Sequence, residues 1–136
     1  MTIQLLGAIA ADKPLIYQMM QLHQHDISKF EDTDLNEHGY FDYPYLDHYW
    51  TEAGRHPFII KVEGKLAGFV LVNQHTLLPE NQHSIAEFFI ARKYRRQGIG
   101  RAVAIQTFDS LRGRWELKYR LANKGAQQFW QVTLNS

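Results

Sequence analysis

Apolar residues recur at three- and four-residue spacing between residues 15 and 30, where Leu15, Met19 and Leu22 run with Ile16, Met20, Ile27 and Phe30 alongside. This period predicts an amphipathic helix of roughly four to five turns. Asp12 as N-cap and Pro14 in the first turn mark its start. Residues 2–9 before it suit a first strand. A polar stretch without period follows from Glu31 to Gly39, then an aromatic segment, Tyr40 to Trp50. Pro44 can open a short helix there, with Leu46, Tyr49, Trp50 and Ala53 at helical spacing.

His56-Pro57 is expected to break that helix, and Phe58–Glu63 and Leu66–Val72 then read as an antiparallel hairpin around Glu63-Gly64-Lys65. Gly68 inside the second strand suggests a bulge. After a polar loop, Ser84–Ala91 is a third strand. Ile99, Val103, Ala104, Phe108 and Leu111 predict a helix ending near Gly113. Trp115–Leu121 alternates as a half-buried strand. Asn123 can cap a helix over Lys124–Gln131, and Val132–Ser136 reads as a short final strand. Strands and helices in this order predict an α/β or α+β fold: one domain over residues 1–136, with helices on both faces of a mixed central sheet.

Composition narrows the chemistry more than the class. The chain of 136 residues is 45% hydrophobic and 21% charged and contains no cysteine. Disulfide scaffolds, thiolate nucleophiles and cysteine-based zinc sites are thereby excluded. His23 and His25, at i and i+2, fall on different helix faces, so no metal site is expected. Ala8-Ile9-Ala10 has a small-x-small look, but no basic residue precedes it and the apolar run is short for a signal peptide. No run approaches the about 18 apolar residues of a membrane helix. A cytoplasmic, membrane-free protein is the expectation.

The formal net charge of +1 hides an asymmetry. Residues 26–52 hold eight acids against Lys29 alone, and residues 92–124 hold ten Lys/Arg against Asp109 and Glu116. Two solvated faces would explain part of this. An anionic ligand on one half and a cationic one on the other would explain the rest.

The basic half contains Arg95-Arg96-Gln97-Gly98-Ile99-Gly100-Arg101, after a strand and at the start of a helix. Glycines let the backbone approach a ligand closely, and the first-turn N–H groups of the helix point at it. The stretch reads as a phosphate cradle. A P-loop string, G-x-x-x-x-G-K-[S/T], is absent. A dinucleotide fingerprint would need G-x-G-x-x-G in a first βα turn, and Gly98 and Gly100 come late and in another pattern.

The segment Glu87 to Ala102 resembles the acetyl-CoA-binding motif R/Q-x-x-G-x-G/A of the GNAT N-acetyltransferase superfamily. Asn123-x-x-Ala126-x-x-Phe129-Trp130 resembles the same family's downstream N-x-x-A-x-x-F/L-Y motif. The likeness covers residues 58–131 well and the rest through element order. It implies that backbone N–H groups from Arg96 to Arg101 hold the CoA pyrophosphate, with Arg95 at the R/Q position and Gln97, Gly98, Ile99 and Gly100 in the loop. It implies that Phe88, Phe89 and Ile90 offer main-chain groups to the pantetheine, with an N–H near Ile90 polarising the thioester carbonyl. Asn123 matches the family asparagine that often contacts the cofactor; it would also serve as a bare N-cap.

The implied reaction is direct attack of a neutral amine on the acetyl thioester of acetyl-CoA, without a metal. The amine must lose a proton, and Glu87, three residues before Ile90, is the first candidate base. A salt bridge from Glu87 to a neighbour such as Arg120 is the alternative. His83 and Tyr119 are further candidates. Where many members carry a tyrosine that protonates the leaving thiolate, this sequence has Trp130, a poor acid. Tyr119 or water would have to donate instead. The acid-rich aromatic segment points to a small cationic amine or a basic peptide as acceptor. The alternative is a non-catalytic acyl-CoA sensor or interaction module on the same fold. Nucleic acid is set aside as a partner, because the basic residues cluster around a phosphate loop without a reading motif. Family members usually continue into another strand, so an exposed sheet edge is expected, to be covered by a homodimer partner or left by a shortened chain.

Overall fold

The structure, a computed structural model, describes residues 1–135. Its sheet has five strands in chain order: β1 (Ile3–Gly7), β2 (His56–Val62), β3 (Lys65–Asn73), β4 (His83–Ile90) and β5 (Trp115–Leu117). The first four pair antiparallel, and β5 runs parallel to β4. Helix α1 (Lys13–Glu31) and a 3₁₀ turn at Leu46–Tyr49 pack on one face. Helices α2 (Ile99–Ser110) and α3 (Lys124–Leu134) pack on the other. This is the expected mixed sheet with helices on both faces.

Each face has its own core. Ile16, Met19 and Met20 of α1 meet Ile59, Phe69, Leu71 and Phe89. Ile99, Val103 and Ala104 of α2 and Trp130 of α3 meet Ile60, Val70, Val72 and Ile85. The alternation along β3, Phe69 and Leu71 to one side and Val70 and Val72 to the other, is what a strand buried on both faces requires.

Two irregularities in β3 and β4 shape the site. Ile60 pairs with Gly68 and Lys61 with Leu66, leaving Ala67 as the extra residue of a bulge beside Gly68. Gly68 is also where two backbones approach: a Cβ there would run into the carbonyl oxygen of Phe89. On the other side, Leu71 pairs with Glu87 and Val72 with Ile85, so Ala86 is the extra residue of a second bulge. A bulge re-aims the side chains beyond it. Ile85 lies in the α2/α3 core, whereas Ala86, Glu87 and Phe89 all face the α1 side.

Four element boundaries differ from the sequence expectation. The short helix expected from Pro44 is only the turn Leu46–Tyr49; Tyr45, left-handed with φ of 71°, cuts Pro44 off from it. His56-Pro57 opens β2 rather than preceding it; the β1 ladder ends at Gly7 opposite Phe58, so the missing N–H of Pro57 costs no rung. β5 ends at Leu117, not Leu121. Its ladder stops opposite Ile85, where the Ala86 bulge bends β4 away. The expected last strand is instead a continuation of α3 through Leu134, because Thr133 falls on the buried face one turn after Trp130; Ser136 lies outside the described residues. Among the described residues no helix is long and apolar enough to cross a membrane.

Candidate functional site

The Ala86 bulge turns Glu87 toward α1 and the aromatic segment. Glu87 Oε1 lies 3.0 Å from His23 Nε2, and the Tyr43 hydroxyl donates to Glu87 Oε2 at 3.3 Å. A carboxylate can only accept, so a neutral His23 in this contact carries its proton on Nε2. The His23 ring stands edge-on to Phe69 and Phe89, which fixes its plane. Glu87 and His23 are 19% and 11% exposed, sheltered but reachable. Burial, reinforced by the adjacent Glu87 carboxylate, pushes the Tyr43 hydroxyl far above the usual phenol range, so Tyr43 stays a neutral donor. Tyr49 and Asn73 line the same cavity as Tyr43. Glu87 thus sits between His23 of α1 and Tyr43 of the aromatic segment in a polar cluster that crosses β4.

The cavity has a volume of about 550 Å³, and its walls include Tyr43, Tyr49, Glu52, Arg55, Asn73 and His75. The expected salt bridge from Glu87 to Arg120 does not form, because Arg120 pairs with Glu31. Tyr119 packs against the α2/α3 core, on the other face of the sheet from Glu87. His83 is buried, bonds the Arg112 carbonyl at 2.8 Å and lies against Trp115, away from Glu87.

The phosphate-loop residues surround the start of α2. A 3₁₀ turn at Arg92–Tyr94 leads into Arg96 and Gly98, both left-handed with φ of 61° and 78°. Gly98 is the N-cap of α2 and has no side chain to satisfy the first-turn donors. The N–H groups of Ile99 and Gly100 precede the first intrahelical bond, from Ala102 to Gly98 at 3.2 Å, and point into the loop. Arg96, Gln97 and Arg101 are exposed around it. Gly100 is needed for packing as well: a Cβ there would sit 2.8 Å from the Phe129 ring.

Arg95 is engaged elsewhere. Its Nε donates to the Ile90 carbonyl at 2.7 Å and its Nη2 to Asp26 at 2.6 Å, while Arg92 reaches the other Asp26 oxygen at 2.9 Å. Partial burial raises the Asp26 carboxyl, but the Arg95 and Arg92 hydrogen bonds outweigh it and hold Asp26 below the usual carboxylate value. The charge asymmetry of the chain is therefore partly internal. Asp26 and Glu31 of the acidic half pair with Arg92, Arg95 and Arg120 of the basic half, Asp47 pairs with Lys13, and Glu52 with Arg55.

Phe88 faces away from Glu87, with its ring 5.7 Å from Phe129 and 5.1 Å from Trp130. Phe89 lies in the α1-side core and Ile90 in the other. Beyond Ile85, β4 has no strand beside it on the β5 side among the described residues. Trp130, 6% exposed, fills core space where the motif suggests a tyrosine. Asn123 caps α3 by accepting from the Ala126 N–H at 3.1 Å. Among the described residues no three His, Cys, Asp or Glu gather as a metal site would need.

The sheet thus opens beside β4 beyond Ile85, with the start of α2 following that strand and the Glu87 carboxylate on its bulge. The sequence matches the acetyltransferase (GNAT) family over residues 17–134, and the chain belongs to that family. Solved structures agree on the fold. An acetyltransferase from Thermus thermophilus superposes with a TM-score of 0.74 at 16% identity, over 97% of this chain and 85% of that one. An aminoglycoside acetyltransferase from an uncultured soil metagenomic sample, solved with sisomicin, gives 0.66 at 17% identity, over 96% and 86%. A ribosomal-protein-alanine N-acetyltransferase from Brucella melitensis gives 0.60 at 13%, over 96% and 89%. No curated protein sequence matches the chain.

Proposed function

We propose that this protein transfers an acetyl group from acetyl-CoA to a primary amine, and that Glu87 takes up the amine's proton. The observation that carries the reading is the Glu87 carboxylate, bulged out of β4, contacted by His23 and by Tyr43, a residue that also lines a cavity of a size suited to a small molecule. A protonated amine cannot attack, so a sheltered acceptor of protons beside the acceptor cavity is what the chemistry needs.

The residues at the start of α2 fit the phosphates of acetyl-CoA. The bare N-cap of Gly98, the N–H groups of Ile99 and Gly100 and the exposed Arg96 present donors and charge to one spot. When bound, acetyl-CoA supplies an activated acyl group. The chain's part is then to hold it along the open side of β4 at Phe88–Ile90, to orient the amine and to carry away its proton. Proton return to the sulfur falls to Tyr119 or water, since Trp130 has no acidic hydroxyl. The acceptor is a small-molecule or peptide amine, and the names of the structural relatives span both kinds.

Trp130 favours a second reading, a module of the same fold that binds acyl-CoA without turnover. Thiol release from acetyl-CoA across a panel of small amines and peptides separates the two. Amine-dependent release supports the enzyme, and tight acetyl-CoA binding without it supports the module.

A further inference from the structure

We propose that the acceptor amine carries a carboxylate, as an amino acid does, and that Arg55 is the residue that receives it. This rests on the reading of the cavity beside Glu87 as the acceptor site. The acid-rich segment 26–52 suggests on sequence grounds a site for cations alone, but most of its acids with a partner lie away from the cavity, on Arg92, Arg95, Arg120 and Lys13. Among the cavity's side chains Glu52 is the single acid and Arg55 the single permanent base.

The two are not equivalent. Glu52 is half-exposed, and both its oxygens have partners: Oε2 accepts from Arg55 Nε at 2.8 Å and Oε1 lies 3.3 Å from His48 Nδ1. The Arg55 side chain is only 14% exposed, with its guanidinium lying over the Tyr49 ring at 5.3 Å. Its Nη2 lies 3.0 Å from His75 Nε2. A guanidinium has more N–H groups than these contacts use, in a planar fork that matches a carboxylate with two parallel bonds. The unmet capacity of this wall is thus for an anion. A second positive charge on the acceptor would meet Arg55 at close range.

The other end of the cavity suits the amine. Tyr43 lines it and donates to Glu87, and Tyr49, which lines it too, carries the Arg55 guanidinium over its ring. An acceptor with its amine at Tyr43 and Glu87 would place a carboxylate at Arg55, with tyrosine rings along its length.

The experiment compares an amino acid with its amide and its decarboxylated amine, for instance phenylalanine, phenylalaninamide and phenethylamine, in thiol release from acetyl-CoA by the full chain. The expected result is a kcat/KM about tenfold or more higher for the amino acid, as for a site whose donors go unpaired with the analogue. Arg55→Gln should lower kcat/KM for the amino acid far more than for the amide, and Arg55→Lys should fall between. Equal rates for the set in the wild type, or equal losses for all in Arg55→Gln, would overturn the proposal. If no amine is acetylated, the proposed activity fails but this inference is still read directly: phenylalanine should shift the Arg55 Nε–H resonance of the wild-type protein where phenethylamine does not, and an unmoved resonance overturns it.

Discussion

His23 on α1 and Glu87 on β4, 64 residues apart in the chain, meet at 3.0 Å with the imidazole ring edge-on to both Phe69 and Phe89. This contact fixes one carboxylate oxygen of the proposed base, and Tyr43 fixes the other. His23→Leu should lower kcat about tenfold, part of the ~100- to 10,000-fold that a positioned proton acceptor contributes. KM for acetyl-CoA should not move, because the phosphate loop is untouched. His23→Gln retains a donor and should recover part of the loss. Steady-state kinetics on the variants check this, and an unchanged kcat in His23→Leu would remove His23 from the account.

One turn further along α1, Asp26 binds Arg92 and Arg95 and so ties the helix to the phosphate loop. Its carboxyl is held below its ordinary value in the folded chain. A depressed acid stabilises the fold at pH values above its unfolded value and loses that contribution as pH falls through the folded one. Asp26→Asn should therefore cost about 1 kcal/mol near neutral pH, since both arginines are partly solvated. The difference from wild type should shrink below about pH 4. Urea unfolding at several pH values measures it; a difference independent of pH would mean that the carboxylate charge is not what matters.

Gly68 has β2 on one side and the Phe89 carbonyl pressed against it on the other. Gly68→Ala must push β3 and β4 apart, at a cost of about 1–3 kcal/mol or more. Thermal unfolding should show a clear drop in Tm. A wild-type Tm would mean that the strands are further apart than described.

Gly98 combines a left-handed backbone with the bare N-cap of α2. A β-branched residue is strained there by about 1–2 kcal/mol and covers the donors with its side chain. Gly98→Val should weaken acetyl-CoA binding about tenfold in equilibrium titration, with the acceptor side unaffected. Unaltered affinity would place the phosphates elsewhere.

Legibility in the sequence followed the range of the interaction. The turn at Gly98 and Gly100 was readable as the start of a helix because its signals are local: the glycines and the apolar period of α2 lie within a few residues. The Asn123 cap of α3 and the Gly68 bulge were readable for the same reason. Glu87 was readable as a candidate base, but its partners were not. Sequence spacing tests His23 against His25 and finds no metal pair; it carries no sign that the Ala86 bulge brings His23 and Glu87 together. Arg95 shows the converse. Its motif position is plain, yet its guanidinium goes to Asp26 and Ile90, a choice made by tertiary packing. The acidic and basic halves suggested two ligands, and part of that complementarity is the chain binding itself. Val132 and Thr133, strand-prone by composition, stay helical because the Trp130–Thr133 face is buried.

The most direct measurement is amine-dependent thiol release by Glu87→Gln against wild type, with acetyl-CoA affinity measured in parallel. If Glu87 takes the amine's proton, kcat falls about 100- to 10,000-fold while acetyl-CoA binds as before. A variant that turns over within about twofold of wild type, far short of that loss, would contradict the account.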